Sequence, residues 1–295
     1  AINMVIGAAA AGRRVMTSSS SPGIALKSEG LSYLAGCDLP AVVVNVARGG
    51  PGLGGIQPSQ ADYFMATRGG GHGDFHMMVI APAGLQEMID SVRSAFELAD
   101  KYRVTAMILA DGILGQMMEP ASLPEPTDPA DLPPKLWAAT GTGGARGKNI
   151  INSLYLTPEE LERLNFERFA KYAVIAENET RYESYKTEDA DIVLVAFGAT
   201  ARVCKNAVAA ARAKGVKVGL FRPITLWPFP KKPLRALADS ARAFISVEMS
   251  MGQLIEDVEL ATRCLRPVLL CNRAGGMVPT PENILAKIDE AARGM

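Results

Sequence analysis

The feature that most constrains the fold of this chain is a continuous run rich in β-branched residues at 40–47, PAVVVNVA. Such a run is typical of a parallel strand buried on both faces, because a strand with one solvated face alternates apolar and polar residues. Similar runs recur along the chain, at 77–81, 104–110, 192–196, 216–221, 244–247 and 268–270. Helical patterns separate them, and this alternation predicts an α/β fold built on parallel sheets.

A proline-rich stretch divides the alternation into two parts. Residues 120–134 contain six prolines, and proline both removes a backbone donor and disfavours helix in the residue before it. A long, charged, helical pattern follows at 157–185. The sequence therefore predicts two parallel-sheet α/β domains, at 1–119 and 190–295, joined by a linker and helical arm at 120–189.

The composition argues against two classes of partner. Lysine and arginine together number 31, as do aspartate and glutamate, so the formal net charge is zero. A protein that binds nucleic acid, or that is held to an anionic membrane by charge, needs a basic surplus. No apolar run reaches the roughly 18 residues of a spanning helix. We therefore expect neither nucleic acid nor a membrane as a partner.

Cysteine and histidine are scarce, which limits the metal chemistry expected of the chain alone. The four cysteines are scattered and form no C-x-x-C pair, which favours a reducing compartment, and we predict a cytoplasmic protein. His72 and His76 stand four residues apart, but the glycines around them disfavour the helix that a shared metal would need. We interpret both as polar loop residues and predict no metal site in this chain.

A glycine-rich stretch at 50–55, GPGLGG, follows the first strong strand and matches G-x-G-x-x-G. Dinucleotide binding would require a helix to begin there, and Pro58 with the polar residues after it disfavours one. The glycines instead favour a loop that lies close to a ligand or a partner chain.

The serine cluster at 18–21 lies between a predicted strand and a predicted helix, and it has two interpretations. A serine there caps a helix when its oxygen accepts a hydrogen bond from a free backbone N–H. The cluster could instead offer hydroxyl and backbone groups to a cofactor ring. The spacing alone does not distinguish these roles.

Arg48 directly follows the buried strand, at its carboxyl end. Ligands of open parallel sheets gather at that edge. A guanidinium group can bind both oxygens of a carboxylate, and Gly49 and Gly50 leave room beside it. The alternative is an ordinary surface arginine, which is the commoner case.

Several longer segments together resemble the α subunit of the 2-oxoacid:ferredoxin oxidoreductases, and most of all the 3-methyl-2-oxobutanoate (2-ketoisovalerate) type. The segments that carry the resemblance are AINMVIG at 1–7, RVMTSSSSPG at 14–23, VVNVARGGPGLGGIQPSQADYF at 43–64, GGGHGD at 69–74, ILADGILGQMME at 108–119, VGLFRPITLWPFP at 218–230 and VEMSMGQLIEDV at 247–258. The likeness extends over nearly the whole chain.

This resemblance implies a thiamine pyrimidine-binding domain followed by a transketolase C-terminal-like domain. It implies oxidative decarboxylation of a 2-oxoacid, of the branched-chain type, on thiamine diphosphate, with coenzyme A accepting the acyl group and ferredoxin the electrons. The implied partners are a thiamine-diphosphate-binding beta subunit, gamma and ferredoxin-like subunits, and further copies of the chain through self-association. Thiamine diphosphate is shared with the beta subunit, whereas Mg²⁺ and iron–sulfur clusters are expected on the partner subunits.

The resemblance also implies roles for particular residues. It places Arg48 near the substrate carboxylate. The residues that it places around the cofactor are Ser19, Ser20, Pro22 and Gly23, beside the pyrimidine ring, and Gln60, Asp62 and His72, at the edge of the same cleft. The family's catalytic glutamate precedes the segment that matches Ala1, so no catalytic residue is expected within the given sequence.

The position of that glutamate leaves alternatives open. The expectation is either that an N-terminal part of the first domain is missing from the sequence or that the chain is inactive. A non-catalytic interaction subunit with a thiamine-enzyme fold is therefore one alternative. A thiamine-dependent enzyme subunit that needs no ferredoxin is another, and the long family-like segments favour the oxidoreductase over both.

Overall fold

A computed structural model describes residues 1–294, which form two sheets of five strands each. The strands in chain order are β1 (Met16–Ser19), β2 (Ala41–Ala47), β3 (Met78–Ile80), β4 (Thr105–Asp111), β5 (Tyr182–Tyr185), β6 (Ile192–Val195), β7 (Val218–Pro223), β8 (Thr225–Trp227), β9 (Ala243–Glu248) and β10 (Val268–Asn272). The helices are α1 (Ile2–Ala10), α2 (Pro22–Ala25), α3 (Ser28–Gly36), α4 (Tyr63–Thr67), α5 (Leu85–Tyr102), α6 (Gly112–Gln116), α7 (Pro158–Asn178), α8 (Gly198–Ala213), α9 (Lys231–Leu237), α10 (Leu254–Thr262) and α11 (Pro281–Arg293).

Both sheets are mainly parallel. The first has the strand order β1-β2-β4-β3-β8 and the second the order β10-β9-β6-β7-β5. An antiparallel strand closes one edge of each, where β8 pairs with β3 and β5 pairs with β7. The predicted fold class, two parallel-sheet α/β units, is confirmed with these two edge strands added.

Strand β2 lies inside the first sheet, between β1 and β4. All of its residues except Val46 are buried, as the apolar run predicts. Burial of each valine side chain contributes roughly 1.5–3 kcal/mol, so this strand is strongly fixed in place. Its carboxyl end therefore holds Arg48 at a defined position on the sheet edge.

The helices cover the sheets with apolar faces. Helix α5 buries Ala95, Leu98 and Ala99 against the first sheet, in one core with residues of β2 and β4. Helix α8 packs in the same way against the second sheet, with Cys204 and Val208 buried. Among residues 1–294, no helix combines the length and apolarity that a membrane crossing requires.

The predicted helical arm is shorter than its sequence pattern indicates. Helix α7 ends at Asn178, and Tyr182–Tyr185 form β5 on the second sheet. The carboxylate of Glu179 accepts hydrogen bonds from Lys101 at 2.8 Å and from Tyr102 at 2.6 Å, which fixes the end of the helix against α5. The pairing of β5 with β7 then outweighs the helical propensity of the segment.

The proline-rich segment between α6 and α7 contains one short 3₁₀ helix, Pro129–Asp131, and its residues are mostly exposed. The domain boundaries at 119/120 and 189/190 stay predictions. Strand β5 precedes the second of these boundaries and belongs to the second sheet, whereas β8 follows it and belongs to the first sheet. The two halves of the chain are thus interleaved at their sheet edges.

Candidate functional site

A cleft of about 810 Å³ opens where loops from both sheets meet. One side is formed by the loops that follow β1 and β2 and by the start of α4. The other side is formed by the loops that follow β9 and β10. All four loops leave the carboxyl ends of parallel strands, which is where ligands of open α/β sheets bind.

Ser21 is the centre of a hydrogen-bond network in this cleft. Its hydroxyl donates to Oδ2 of Asp62 at 2.7 Å and accepts from the backbone N–H of Arg48 at 3.0 Å. Asn45, fully buried in β2, accepts from the Ser21 N–H at 3.0 Å and donates to the same Asp62 oxygen at 2.8 Å. Ser21 has a φ of 29°. Such a backbone costs of order 1–3 kcal/mol, and it persists only where the surrounding contacts hold it.

The residues around Ser21 differ in their relation to the cleft. Ser21 precedes α2, but its side chain forms no capping bond, so its hydroxyl serves the network instead. Pro22 lines the cleft, whereas Ser19, Ser20 and Gly23 do not. A Cβ on Gly23 would lie 2.0 Å from Oγ of Ser19, so a larger residue there would require the Ser19 hydroxyl to move.

Arg48 is half-buried at the cleft wall. Its Nη1 donates to the carbonyl oxygens of Leu53 at 2.6 Å and Gly55 at 3.0 Å, which ties the guanidinium to the glycine-rich loop. That loop is tight, since a Cβ on Gly54 would lie 1.9 Å from the Gly49 oxygen. Within the described residues, Nε and Nη2 of Arg48 form no hydrogen bond, so they can receive an anion.

The remaining surface of the cleft is largely apolar. Its charged lining residues are Arg48 and Asp62, and its large apolar ones are Pro22, Leu26, Met65, Met249 and Met251. Leu26 and Met251 are 87% and 80% exposed, although both are large apolar residues. Exposed apolar side chains around a cleft are typical of a surface that binds a ligand or another protein.

Glu248 shapes the far wall and was not among the predicted site residues. Its buried carboxylate accepts from the hydroxyl groups of Ser246 and Ser250. It also accepts from backbone N–H groups at the start of α10, at 2.7 Å from Gln253, the residue before the helix, and at 3.0 Å from Leu254. These bonds fix the loop that carries Met249 and Met251. An acidic residue at the end of a buried strand, just before a helix, is the sequence signal that could have indicated it.

Gln60 joins the two sheets and does not line the cleft. Its backbone N–H donates to the Met249 carbonyl oxygen at 2.9 Å, and its Oε1 accepts from the Met249 N–H at 3.0 Å. Its Nε2 donates to the Phe197 carbonyl oxygen at 2.9 Å. Nearby, the Tyr63 hydroxyl donates to Asp257 at 2.5 Å, and burial together with that carboxylate raises the pKa of Tyr63 well above its ordinary value. These contacts hold the two walls of the cleft together.

Comparison with known proteins decides the family. Residues 1–186 match the family model described as pyruvate flavodoxin/ferredoxin oxidoreductase, thiamine diphosphate-binding. Residues 190–284 match the model of pyruvate:ferredoxin oxidoreductase core domain II. The chain belongs to the 2-oxoacid:ferredoxin oxidoreductases. The resemblance predicted from the sequence is thereby confirmed.

The relatives of this chain are named for different 2-oxoacids. The chain is 55% identical to the ketoisovalerate oxidoreductase subunit VorB of Methanothermobacter marburgensis, over 99% of this chain and 82% of the relative. It is 33% identical to the 2-oxoglutarate synthase subunit KorA of the same organism, over 98% of this chain and 83% of the relative. The similarity to these oxidoreductase subunits does not favour the alternatives of a ferredoxin-independent enzyme or a non-catalytic subunit.

Solved structures show the same architecture. The 2-oxoglutarate:ferredoxin oxidoreductase of Magnetococcus marinus superimposes with a TM-score of 0.82 and 27% identity, over 98% of this chain. This chain spans 55% of that protein's length. A split-gene transketolase, 14% identical with a TM-score of 0.61, shares the fold over 99% of this chain and 80% of its own.

The two histidines of this oxidoreductase subunit lie away from the cleft. His72 is exposed and lines a separate depression with Glu29 and Tyr33. His76 lies in the irregular segment before β3, as predicted, but it is half-buried: its ring stacks on Trp227 with the centroids 4.6 Å apart, and burial lowers its pKa. In the described part of the chain, no group of three His, Cys, Asp or Glu side chains could hold a metal ion.

Proposed function

We propose that this subunit forms part of the active site of an enzyme that oxidatively decarboxylates a branched-chain 2-oxoacid to an acyl-CoA. Thiamine diphosphate would lie in the cleft, shared with a partner subunit that holds its diphosphate and Mg²⁺. Electrons would pass through iron–sulfur clusters of other subunits to ferredoxin. The identity to a ketoisovalerate oxidoreductase subunit and the chemistry of the cleft support this proposal.

The observation that carries the proposal is that Arg48 is the one cation among the described residues that line this largely apolar cleft. A 2-oxoacid presents a planar carboxylate beside its reacting carbonyl, and the free Nε and Nη2 edge of Arg48 can bind both oxygens. The methionine and leucine side chains then face an aliphatic substituent. A second carboxylate, as in 2-oxoglutarate, would find no second cation among the lining residues of the described chain.

The cleft also fits the pyrimidine part of the cofactor. Pro22, Ala25, Leu26 and Met65 provide an apolar surface against which a flat aromatic ring can pack. When bound, thiamine diphosphate supplies the nucleophilic carbon and the electron sink for loss of carbon dioxide. Of the residues predicted beside it, Pro22 and Asp62 line the cleft. Ser19, Ser20 and Gly23 do not line it.

Each residue of the network would have a defined task. Arg48 would hold the substrate carboxylate, and the Ser21 hydroxyl, through the Arg48 N–H, would fix the backbone from which that side chain extends. Asp62 and Asn45 would keep Ser21 in its strained conformation. The apolar rim would exclude water, which strengthens the ion pair between substrate and Arg48.

The partner subunits would close the cleft. Leu26, Leu53, Ile56 and Met251 are all more than three-quarters exposed and lie on or beside its rim. Their burial against a beta subunit would stabilise assembly, and it would complete the cofactor site. The gamma and ferredoxin-like subunits, self-association and a cytoplasmic location remain part of this proposal.

The test is a comparison of substrates in the assembled complex, made by co-expression with its partner subunits. Coenzyme A-dependent reduction of ferredoxin should be faster, in kcat/KM, with 3-methyl-2-oxobutanoate than with 2-oxoglutarate. A preference for 2-oxoglutarate would contradict the substrate assignment. Full turnover without ferredoxin or another one-electron acceptor would contradict the reaction class.

A further inference from the structure

Arg168, on the inner face of α7, is a buried cation without a counter-ion. The residue is 9% exposed. Its Nη1 donates to Oδ1 of Asn165 at 2.6 Å, while its Nε is buried with no acceptor. No carboxylate within residues 1–294 forms an ion pair with it. Buried arginines are normally paired, because removing a charge from water without compensation is costly.

Arg168 is one of the residues that line a cavity of about 360 Å³, which is separate from the cleft. The cavity lies between α3, the glycine-rich loop at 69–74, the segment before α7, and α7 itself. Its polar and aromatic walls include Ser32, Tyr33, His72, Tyr155 and Asn165. It shares no lining residue with the cleft around Arg48.

The acidic residues near this cavity bind other partners or form no ion pair with Arg168. Asp38 pairs with Lys171 at 2.6 Å, and Glu29 accepts from the Tyr33 hydroxyl at 2.8 Å. Asp74 lines the cavity but is exposed and forms no ion pair with Arg168. No carboxylate of the described residues therefore forms an ion pair that neutralises this positive charge.

We propose that the cavity binds a small oxyanion, a carboxylate or a phosphate carried by a compact organic molecule, with Arg168 as its counter-ion. Within the described residues, Nε and Nη2 of Arg168 form no hydrogen bond. Together they offer parallel N–H donors, which match both kinds of oxyanion. The side chains of His72 and Ser153 line the same space and can donate further hydrogen bonds. Phe75 and Leu161 supply apolar contact for the body of the molecule.

The site is independent of the proposed catalytic function, since no residue of the cleft takes part in it. The proposal also predicts how stability depends on the anion. Removal of an arginine that only stabilised the fold would lower stability under all conditions. Removal of an unpaired buried arginine should lower stability only relative to a protein that has its anion bound.

The experiment is thermal unfolding of the full chain with inorganic phosphate or isobutyrate as the probe, against sodium chloride at equal ionic strength. The variants are Arg168→Gln and, as a matched control on the same helix, Arg163→Gln. Arg163 is exposed and pairs only with Glu167. We expect the better probe to raise Tm by at least about 2 °C in the wild type and in Arg163→Gln, and not in Arg168→Gln.

The two probes separate carboxylate from phosphate recognition. Without a probe, Arg168→Gln should unfold at the wild-type temperature or above it. Should that variant fail to fold, Arg168→Lys replaces it, and we expect it to show less than half of the wild-type shift. Equal shifts in the wild type and either variant, or no shift with either probe, would overturn the proposal. So would a partner subunit's carboxylate bound to Arg168 in the assembled complex.

Discussion

The side-chain amide of Asn45 donates a 2.8 Å hydrogen bond to the carboxylate of Asp62, and so joins the buried strand β2 to the wall of the cleft. The oxygen of the same side chain accepts from the N–H of Ser21, so the buried Asn45 holds both Ser21 and Asp62 in place. If Arg48 binds the substrate as proposed, this support matters for catalysis, because its side chain extends from backbone that Ser21 positions.

Replacement of Asn45 by alanine should destabilise the chain by about 2–3 kcal/mol, because it leaves a buried N–H and a carboxylate without their partner. Asn45→Asp should be worse, since it sets a second carboxylate against Asp62. Urea denaturation measures both, with the exposed Asn152→Ala as control. A change below about 0.5 kcal/mol for Asn45→Ala would show that the network carries little energy.

Replacement of Arg48 by alanine in the complete complex should lower kcat/KM for the 2-oxoacid by roughly 30- to 900-fold, equivalent to about 2–4 kcal/mol. Arg48→Lys should recover only part of this loss, because an ammonium group cannot bind both oxygens at once. The concentration of coenzyme A needed for half-saturation should hardly change. Arg93→Ala, at an exposed position on α5, is the control in steady-state kinetics. Near-wild-type kcat/KM for Arg48→Ala would remove Arg48 from the substrate site.

Tyr172 should make stability depend on pH in the alkaline range. Burial raises its pKa from an ordinary 10.0 to about 12, so the folded state favours the neutral phenol. This contribution is fully present below pH 10 and is lost as the pH rises through about 12, for a total of about 2–3 kcal/mol. The free energy of unfolding, measured from about pH 9.5 to about pH 11.5, should fall less steeply in Tyr172→Phe than in the wild type. The half-exposed Tyr182→Phe is the control for loss of a phenol hydroxyl at the surface.

Trypsin should first cut the folded chain within the segment between α6 and α7, at Arg146 or Lys148, which are exposed there. Lys135 lies in the same segment but should resist, because it is only 13% exposed in its side chain and pairs with Asp100 at 2.6 Å. Exposed loops are the usual sites of such cleavage. Mass spectrometry of the early fragments identifies the order in which these sites are cut. A first cut within β2 or at Lys135 would contradict this picture of the segment.

The sequence alone determined the fold class and the position of Arg48. Strand β2 was predicted because its burial on both faces requires a continuous apolar run, and this requirement is visible in a few adjacent residues. The residue after such a strand must then lie at the sheet edge. Pro22 and Asp62, predicted from the family resemblance, do lie in the cleft, as does Arg48.

The tertiary structure decided which neighbours these residues meet. In the sequence pattern, Asn45 is one residue of the predicted strand and carries no sign of a further role. Only the fold brings it into contact with Ser21 and Asp62. Gln60 was expected at the cofactor, but its amide is used between the sheets, with Met249 and Phe197 more than a hundred residues away in the chain. Strand β5 was expected to be helix and became an edge strand through its pairing with β7. Local patterns report which face of an element is buried, whereas hydrogen bonds between distant segments depend on how the elements pack, and no periodicity records that.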